Sequence, residues 1–523
     1  ARYQAGAAGG PAAAGARGAR TVEVSADQAA AYGMIAAALA GAGVDLAAAA
    51  LRPEGAAQAP LAVLGRAGSG KTMLLAHLVK ALVAAGVEPV TGDWESRRGR
   101  DRRTVAVLAP TNKAASVLRA RGVPATTIHR VLYTPLYHPD YEALAEWLAG
   151  KATRPTIEGL AEAALDRAEA SYRTHGSIPG ALAAAGLRGS DFIRGWKRRD
   201  EPLDIGLVDE ASMLDARQFE DLAALCRTLI LFGDPAQLAP VGGGGAMVFD
   251  ALPEARRLTL GRVHRQAAGN PIIDLAHALG DPDLDFEGFE ALVRAAARRD
   301  GRVVLAPRAD ADLMARAPAL VWRNATRVRL IEAFRRAHGA PPDALLPGEP
   351  LICDGIELPL KHRRKRMDLE ARGLIKGTQA IYLGSGRRPG FARLWMPGAE
   401  EPQIAVASII QIESPDAEEP AILTAAGMGA VFLHGAAVTI HKAQGSQWPE
   451  AQVFAPDLWA AARSGREEGG TPLWKRLAYV AITRAEERLH WVMRYALSRP
   501  TAALSVADLA RGDAGPALAA PAS

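Results

Sequence analysis

Cysteine is nearly absent: Cys226 and Cys353, far apart in sequence, are the only two in 523 residues. That excludes a disulfide framework and a zinc cluster built on several thiolates, and it fits a reducing cytoplasm. No apolar run of about 18 residues is free of charges or breakers, so nothing reads as a membrane-spanning helix and no membrane partner is expected. The first twenty residues are Ala/Gly-rich, carry Arg2, Arg17 and Arg20, and hold neither an acid nor the long apolar core of a secretory signal. A flexible tail over 1–24 is expected, either a disordered leader or a truncated start, with a nucleic-acid-binding arm as the alternative. A second tail is expected over 506–523. No solenoid-type repeat is present. A formal net charge of +5 permits a polyanionic partner without demonstrating one. The abundance of Ala, Gly and Arg fits a GC-rich genome equally well.

What is present is enough apolar material, 49% of residues, for sizeable cores, in a chain long enough for about three domains. Short apolar segments at Leu61–Leu64, Thr104–Ala109, Ile205–Asp209 and Thr228–Phe232 alternate with helical patterns and run into polar or Gly/Pro residues. A second set follows at Leu258–Leu260, Ala319–Trp322, Ala436–Ile440, Ala451–Phe454 and Arg488–Met493. This is the form of parallel sheets flanked by helices, whose ligands collect at the carboxyl ends of the strands. The expectation is an α/β protein of two lobes, 25–257 and 258–505, each interrupted: 133–202 by a mostly helical insertion, 350–433 by short strands and turns.

Between the first strand and an amphipathic helix lies Gly65-Arg66-Ala67-Gly68-Ser69-Gly70-Lys71-Thr72. The spacing GxxxxGK[ST] is a phosphate-binding loop: glycines let successive N–H groups turn toward the phosphates, Lys71 adds a point charge, and Thr72 offers a hydroxyl to Mg²⁺. Leu207-Val208-Asp209-Glu210 then ends a buried strand on two acids. Asp209 is expected to hold the metal and Glu210 to orient or deprotonate the attacking water. After the next strand, Gln237 in Gly233-Asp234-Pro235-Ala236-Gln237-Leu238 is placed to sense a γ-phosphate. Such a site needs cationic charge on the departing phosphate. Arg484, in Tyr479-Val480-Ala481-Ile482-Thr483-Arg484-Ala485, is the leading candidate and Arg265, in Val263-His264-Arg265-Gln266, the second. Arginines of this kind contribute roughly 10³–10⁵ in rate.

Taken in order, these motifs with Ala109 to Ala115, Thr126 to Arg130 and Thr439 to Gly445 resemble the motif set of a superfamily-1 helicase, over roughly residues 25–495. Gln237-Leu238-Ala239-Pro240-Val241 resembles the RecD/Dda-like 5′→3′ group. The resemblance implies two RecA-like lobes, ATP and Mg²⁺ as cofactors, and single-stranded DNA and ss/ds junctions as substrates of a monomeric motor with room for a protein partner. It implies Gln28 as an adenine reader and Gln444 and Gly445 as nucleotide contacts. Pro110, Thr111, Asn112, Thr126 and His129 on lobe one, with Thr439, His441, Lys442 and Trp448 on lobe two, become the strand track, where hydroxyls and amides hold phosphates and rings stack on bases. Trp448 fits a stacking ring and a core residue equally. Residues 133–202 occupy the place of the strand-separating pin, with Phe192 and Trp196 as candidates against ordinary core packing. Residues 350–433 occupy the place of an SH3-like module, within which Lys361-His362-Arg363-Arg364-Lys365-Arg366 is a solvated face or a docking run.

Competing readings stay open at this level. They are a UvrD-like 3′→5′ helicase, which the Gln237–Val241 segment opposes, an RNA helicase, and a translocase subunit of a RecBCD-type nuclease complex. No further constellation for nuclease or relaxase chemistry is evident.

Overall fold

The computed structural model describes residues 25–52, 55–90, 103–137, 139–157, 160–175, 181, 185, 193–198, 203–240, 245–261, 269–357, 369, 374, 376–396, 402–415, 421–426 and 429–506. Arg265, Phe192, the 361–366 run and both expected tails (apart from Ser505-adjacent residue 506) lie outside them.

The first lobe opens with helix α1 (Ala26–Gly41), which Ser25 and Gln28 cap reciprocally. Strand β1 (Leu61–Gly65) is buried throughout and feeds α2 (Lys71–Ala84), whose Leu74, Leu75, Leu78, Val79 and Leu82 form one apolar face. The chain continues through β2 (Glu88–Pro89), β3 (Thr104–Ala109), α3 (Asn112–Ala120) and β4 (Ala125–Thr127). Next comes an excursion: β5 (Tyr133–Tyr137), α4 (Pro139–Leu148), α5 (Glu162–His175) and β6 (Ile193–Arg198). β5 and β6 pair into an antiparallel ribbon that sets Trp196 opposite Pro135. The chain returns as β7 (Leu203–Val208) and β8 (Cys226–Gly233). The near-continuous apolar runs of β1, β3, β7 and β8 suit a parallel sheet covered on both faces.

Strand β9 (Arg257–Leu260) corrects one expectation. Leu258–Leu260, read as the opening strand of the second lobe, pairs in parallel with β1, Leu258 against Val63, and gives the first sheet the order β9-β1-β8-β7-β3-β2 with β4 also on β3. The reason is packing: Leu258 and Leu260 close the core that Ile35, Leu39, Leu75 and Leu78 build beneath the sheet.

The second lobe comprises α6 (Pro271–Ala278), α7 (Phe286–Arg299), β10 (Val303–Ala306), β11 (Ala319–Val321) and α8 (Asn324–Ala337) before its own insertion. That insertion is β12 (Pro350–Glu357), β13 (Gln379–Ser385), β14 (Phe391–Trp395), β15 (Gln403–Ile412), β16 (Ala421–Ala425) and β17 (Gly429–His434). β14 pairs with both β13 and β15, so β12, β13, β14, β15 and β17 close into a ring, with β16 added on β15. The lobe then resumes with β18 (Ala437–Thr439), β19 (Trp448–Phe454), α9 (Ala455–Arg463), α10 (Leu473–Ile482) and β20 (Ala485–Val492). Its parallel sheet runs β10-β20-β19-β11-β18. β10 was not among the expected strands.

Two local devices matter for the site. The barrel leaves and rejoins lobe two at Glu349 and His434, and a buried cluster ties these crossings together. Arg335 of α8 donates to Glu349 Oε2 at 2.9 Å, and His434 Nε2 sits 2.9 Å from the same oxygen. Helix α10 is buried along all ten residues, Lys475 and Arg476 included. A helix buried all round is an internal one, and this one lies between the lobes.

Candidate functional site

The phosphate loop has the backbone its spacing requires. Gly68 and Gly70 both adopt φ of 81°, a left-handed conformation costly for residues with a β-carbon. Lys71 opens α2, so the helix's free first-turn N–H groups sit beside its ammonium. Lys71 Nζ donates to the carbonyls of Gly65 and Arg66, and lies 3.9 Å from Asp234 Oδ2. Ser69 Oγ is buried without a hydrogen-bond partner, and a β-carbon on Gly65 would collide with it. Gln28 braces the loop from below. Its Nε2 donates to the Gly70 carbonyl at 3.3 Å while its Oε1 accepts from Ser25 N at 3.0 Å, so reading an adenine requires releasing those bonds.

The acid pair stands at the end of β7, the sheet's carboxyl edge. Asp209 is buried, and burial together with the neighbouring charge of Glu210 raises its carboxyl above the usual range. Glu210 holds φ of 52°, one of two non-glycine residues at positive φ among those described. That strain turns its carboxylate off the strand. Gln237 Nε2 donates to Glu210 Oε2 at 3.0 Å, and Ser212 Oγ donates to Gln237 Oε1 at 3.3 Å. The acids, Gln237 and the loop therefore converge as expected.

Lobe two supplies three further groups. Arg484 is buried, and its guanidinium donates to the carbonyls of Val480 and Ser446, each at 2.9 Å. Burial lowers its pKa, while the charge of Glu210 acts in the opposite sense. Arg476 donates across the lobes to the Gln237 carbonyl at 2.6 Å. Tyr479 accepts from the Ala67 amide at 2.7 Å and donates to Asp234 at 2.6 Å. Neither Arg476 nor Tyr479 was singled out from sequence. The signal available was helical spacing, since residues 479 and 476 fall about one and about two turns before Arg484.

A separate cavity of about 410 Å³ opens between the lobes and the barrel. Pro110, Thr111, His129, His441, Lys442 and Trp448 all line it. Trp448 lines the cavity while packing in the core of lobe two. Thr126 is buried on β4 beside the lining residue Thr127, Thr439 ends β18, and Asn112 opens α3. Burial lowers the pKa of His441, which makes it a neutral ring at pH 7. The barrel adds Asp354, Lys376 and Gly377, and α8 adds Arg327, none of which local sequence marks.

Gln444 and Gly445, expected on the nucleotide, lie beside the cavity that Pro110, Thr111 and His441 line. Gln444 lines the cavity, and a β-carbon on Gly445 would lie 3.1 Å from Thr111 Oγ1. The turn after β18 brings the two lobes' strand motifs together there. Gln444 Nε2 also donates to the Leu238 carbonyl at 3.3 Å, next to Gln237. Met213, three residues after Glu210, lines the same cavity.

An AAA-domain family model matches residues 47–305, and a UvrD-like helicase C-terminal domain model matches residues 434–492. The ATP-dependent RecD2 DNA helicase of Deinococcus radiodurans is 44% identical over 82 residues. These matches are consistent with a superfamily-1 helicase. The Deinococcus match takes in 15% of this chain and 11% of that protein. A probable conjugal transfer protein TraA of Sinorhizobium fredii is 24% identical over 407 residues, 75% of this chain and 32% of that one. The chain thus spans a third or less of these two relatives. Among solved structures, the Pif1 helicase of Candida albicans superposes with a TM-score of 0.44 at 14% identity, covering 91% of this chain and 96% of that one. A Bacteroides Pif1 in complex with ADP-AlF3 and ssDNA gives 0.42 at 13%, covering 94% and 97%.

The donors of the phosphate site fit Mg²⁺. A buried carboxylate and a hydroxyl at a helix start, completed by water and phosphate oxygens, suit a cation that keeps most of its hydration. Among the described residues no cluster of three or more His, Cys, Asp or Glu offers an all-protein metal cage.

Proposed function

We propose that this chain couples ATP hydrolysis to 5′→3′ movement along single-stranded DNA and opens duplex at ss/ds junctions. The observation that carries the reading is the Gln237 loop. Its side chain holds Glu210, while the carbonyls of Gln237 and Leu238 are held from lobe two by Arg476 and by Gln444, which lines the second cavity. One loop thus spans the phosphate site and the cleft between lobes, the arrangement a motor needs to make hydrolysis and grip depend on each other.

In this reading Lys71 and the α2 N-terminus hold the phosphates, and Thr72 and Asp209 hold Mg²⁺, which when bound neutralises phosphate charge. Glu210 accepts a proton from the attacking water. Arg484, with Arg265 as second, meets the charge of the departing phosphate. Pro110, Thr111, Asn112, Thr126 and His129 grip the strand on one lobe; Thr439, His441, Lys442 and Trp448 grip it on the other. The β5–β6 ribbon serves as the separating pin and the barrel as the SH3-like module. The names of the RecD2 and TraA relatives, a DNA helicase and a conjugal transfer protein, support DNA as the polymer. Two buried cysteines that form no disulfide suit a cytoplasmic setting.

The test is unwinding of matched duplexes with a 5′ or a 3′ single-stranded tail, with ATP and Mg²⁺, beside Lys71→Ala. Unwinding from the 5′ tail alone, lost in the variant, is expected. Unwinding from the 3′ tail alone overturns the polarity. ATP hydrolysis stimulated by single strands without unwinding of either points to a translocase subunit that works with a partner.

A further inference from the structure

Residue Ala67 is gripped on both of its backbone polar groups by lobe two. Its N–H donates to Tyr479 Oη at 2.7 Å, and its carbonyl lies 3.1 Å from His277 Nε2. The preceding residue is held as well: Arg66 Nη1 donates to the His277 carbonyl at 3.0 Å. Tyr479 in turn donates to Asp234 Oδ2 at 2.6 Å, the carboxylate 3.9 Å from Lys71 Nζ. One phenol therefore bridges the phosphate loop to the loop that carries Gln237. It stands on the internal helix α10, five residues before Arg484, whose Nε is bonded to Val480. The Tyr479 ring is 2% exposed, so its hydroxyl has no water to fall back on.

We propose that Tyr479 is a positioning residue for the hydrolysis reaction: its hydroxyl latches the Ala67 amide and Asp234 together and so fixes where α10 presents Arg484 to the phosphate loop. Arg484 itself makes its hydrogen bonds to Val480, Ser446 and Thr483, all within lobe two, so its aim toward lobe one depends on how α10 docks. Among the described residues, the hydrogen bonds from lobe two that reach the phosphate loop are those of Tyr479 and, from α6, His277, beside the packing of Ala67 on the lobe-two core. Nucleotide can be held by lobe one alone through the loop, Lys71 and the α2 N-terminus. Losing the latch then leaves binding intact and misplaces the arginine.

This inference rests on the ATPase reading above. The experiment uses the full chain with Tyr479→Phe, which keeps the ring and removes only the hydroxyl, and with His277→Ala and the double variant. Hydrogen exchange of the peptide containing Ala67 is followed by mass spectrometry, with fluorescent ADP affinity and steady-state ATP hydrolysis on single-stranded DNA. The phenylalanine variant is expected to exchange the loop amide severalfold faster. Its kcat should fall about fivefold to tenfold, the scale of one hydrogen bond, while ADP affinity and the KM for ATP stay within about twofold of the wild-type protein. The double variant should fall short of the sum of the single losses, because both side chains hold one peptide. Unchanged exchange and unchanged kcat overturn the latch. A loss of ADP affinity in step with kcat also overturns it, since the hydroxyl would then shape the loop rather than place lobe two. Failure of the ATPase reading is distinct: the wild-type chain itself would not hydrolyse ATP.

Discussion

The side-chain amide of Gln237 donates to the Glu210 carboxylate at 3.0 Å, so the acid proposed to act on the attacking water is held by the loop that lobe two also grips. Gln237→Ala frees Glu210 and removes that relay. Hydrolysis without DNA should persist, while its stimulation by single-stranded DNA should drop about tenfold, the worth of a hydrogen bond to a charged group. Paired ATPase measurements with and without a homopolymer strand check this; undiminished stimulation would place the relay elsewhere.

Glu210→Gln should reduce ATP turnover by roughly 10²–10⁴ through loss of a general base. The same change should not lower the melting temperature, because it removes the like charge that helps to raise the Asp209 carboxyl. A thermal melt beside a single-turnover assay reads both effects. A parallel loss of fold would mean that the Glu210 charge is needed for structure.

Lys442 lines the inter-lobe cavity and is exposed. In its proposed role as a phosphate contact it should contribute to the salt dependence of strand binding. Lys442→Ala should weaken binding across all sequences and reduce the slope of log K against log salt by about 0.7. Titrations of a fluorescent strand at several salt concentrations give the slope, and an unchanged slope removes Lys442 from the track.

The Arg335–Glu349–His434 cluster predicts a pH dependence. Burial holds the His434 imidazole below its ordinary pKa of 6.5 despite the Glu349 carboxylate. Burial pushes Glu349 up, yet its bonds to His434 and the Leu346 amide and the charge of Arg335 leave it lowered. For His434 the unfolded chain takes up its proton first as pH falls. The stability contribution is therefore complete above about pH 6.5 and is lost on going below it. Glu349 acts in the same sense at lower pH. Melts between pH 5 and 8 should show wild-type stability falling on the acid side, and His434→Gln should flatten the part just below pH 6.5. An identical profile in the variant would assign the slope to other groups.

Much of the site was legible locally. The phosphate loop, the acid pair, Gln237 and Arg484 announce themselves because each depends on near neighbours: glycines where φ must be positive, acids where a buried strand ends. Four of the five strands first assigned to lobe two were placed correctly for the same reason, since apolar runs of that length bury on both faces. Leu258–Leu260 was not, because a strand's pattern says that it will join a sheet and not which edge is open. The neighbours of Gln444 and Gly445 were equally illegible: the turn after β18 brings Gly445 to Thr111 and Gln444 to the Leu238 carbonyl, contacts that local sequence does not mark.

By itself the sequence determined the α/β class, the order of motifs and the chemistry of the phosphate site, all set by spacing over a few residues. Only the tertiary structure decided how the barrel closes, that Met213 and Gln444 share the inter-lobe cavity, and that Tyr479 holds Ala67. The last two join residues hundreds of positions apart, and their geometry is fixed by how two separately built cores dock, which no local pattern encodes.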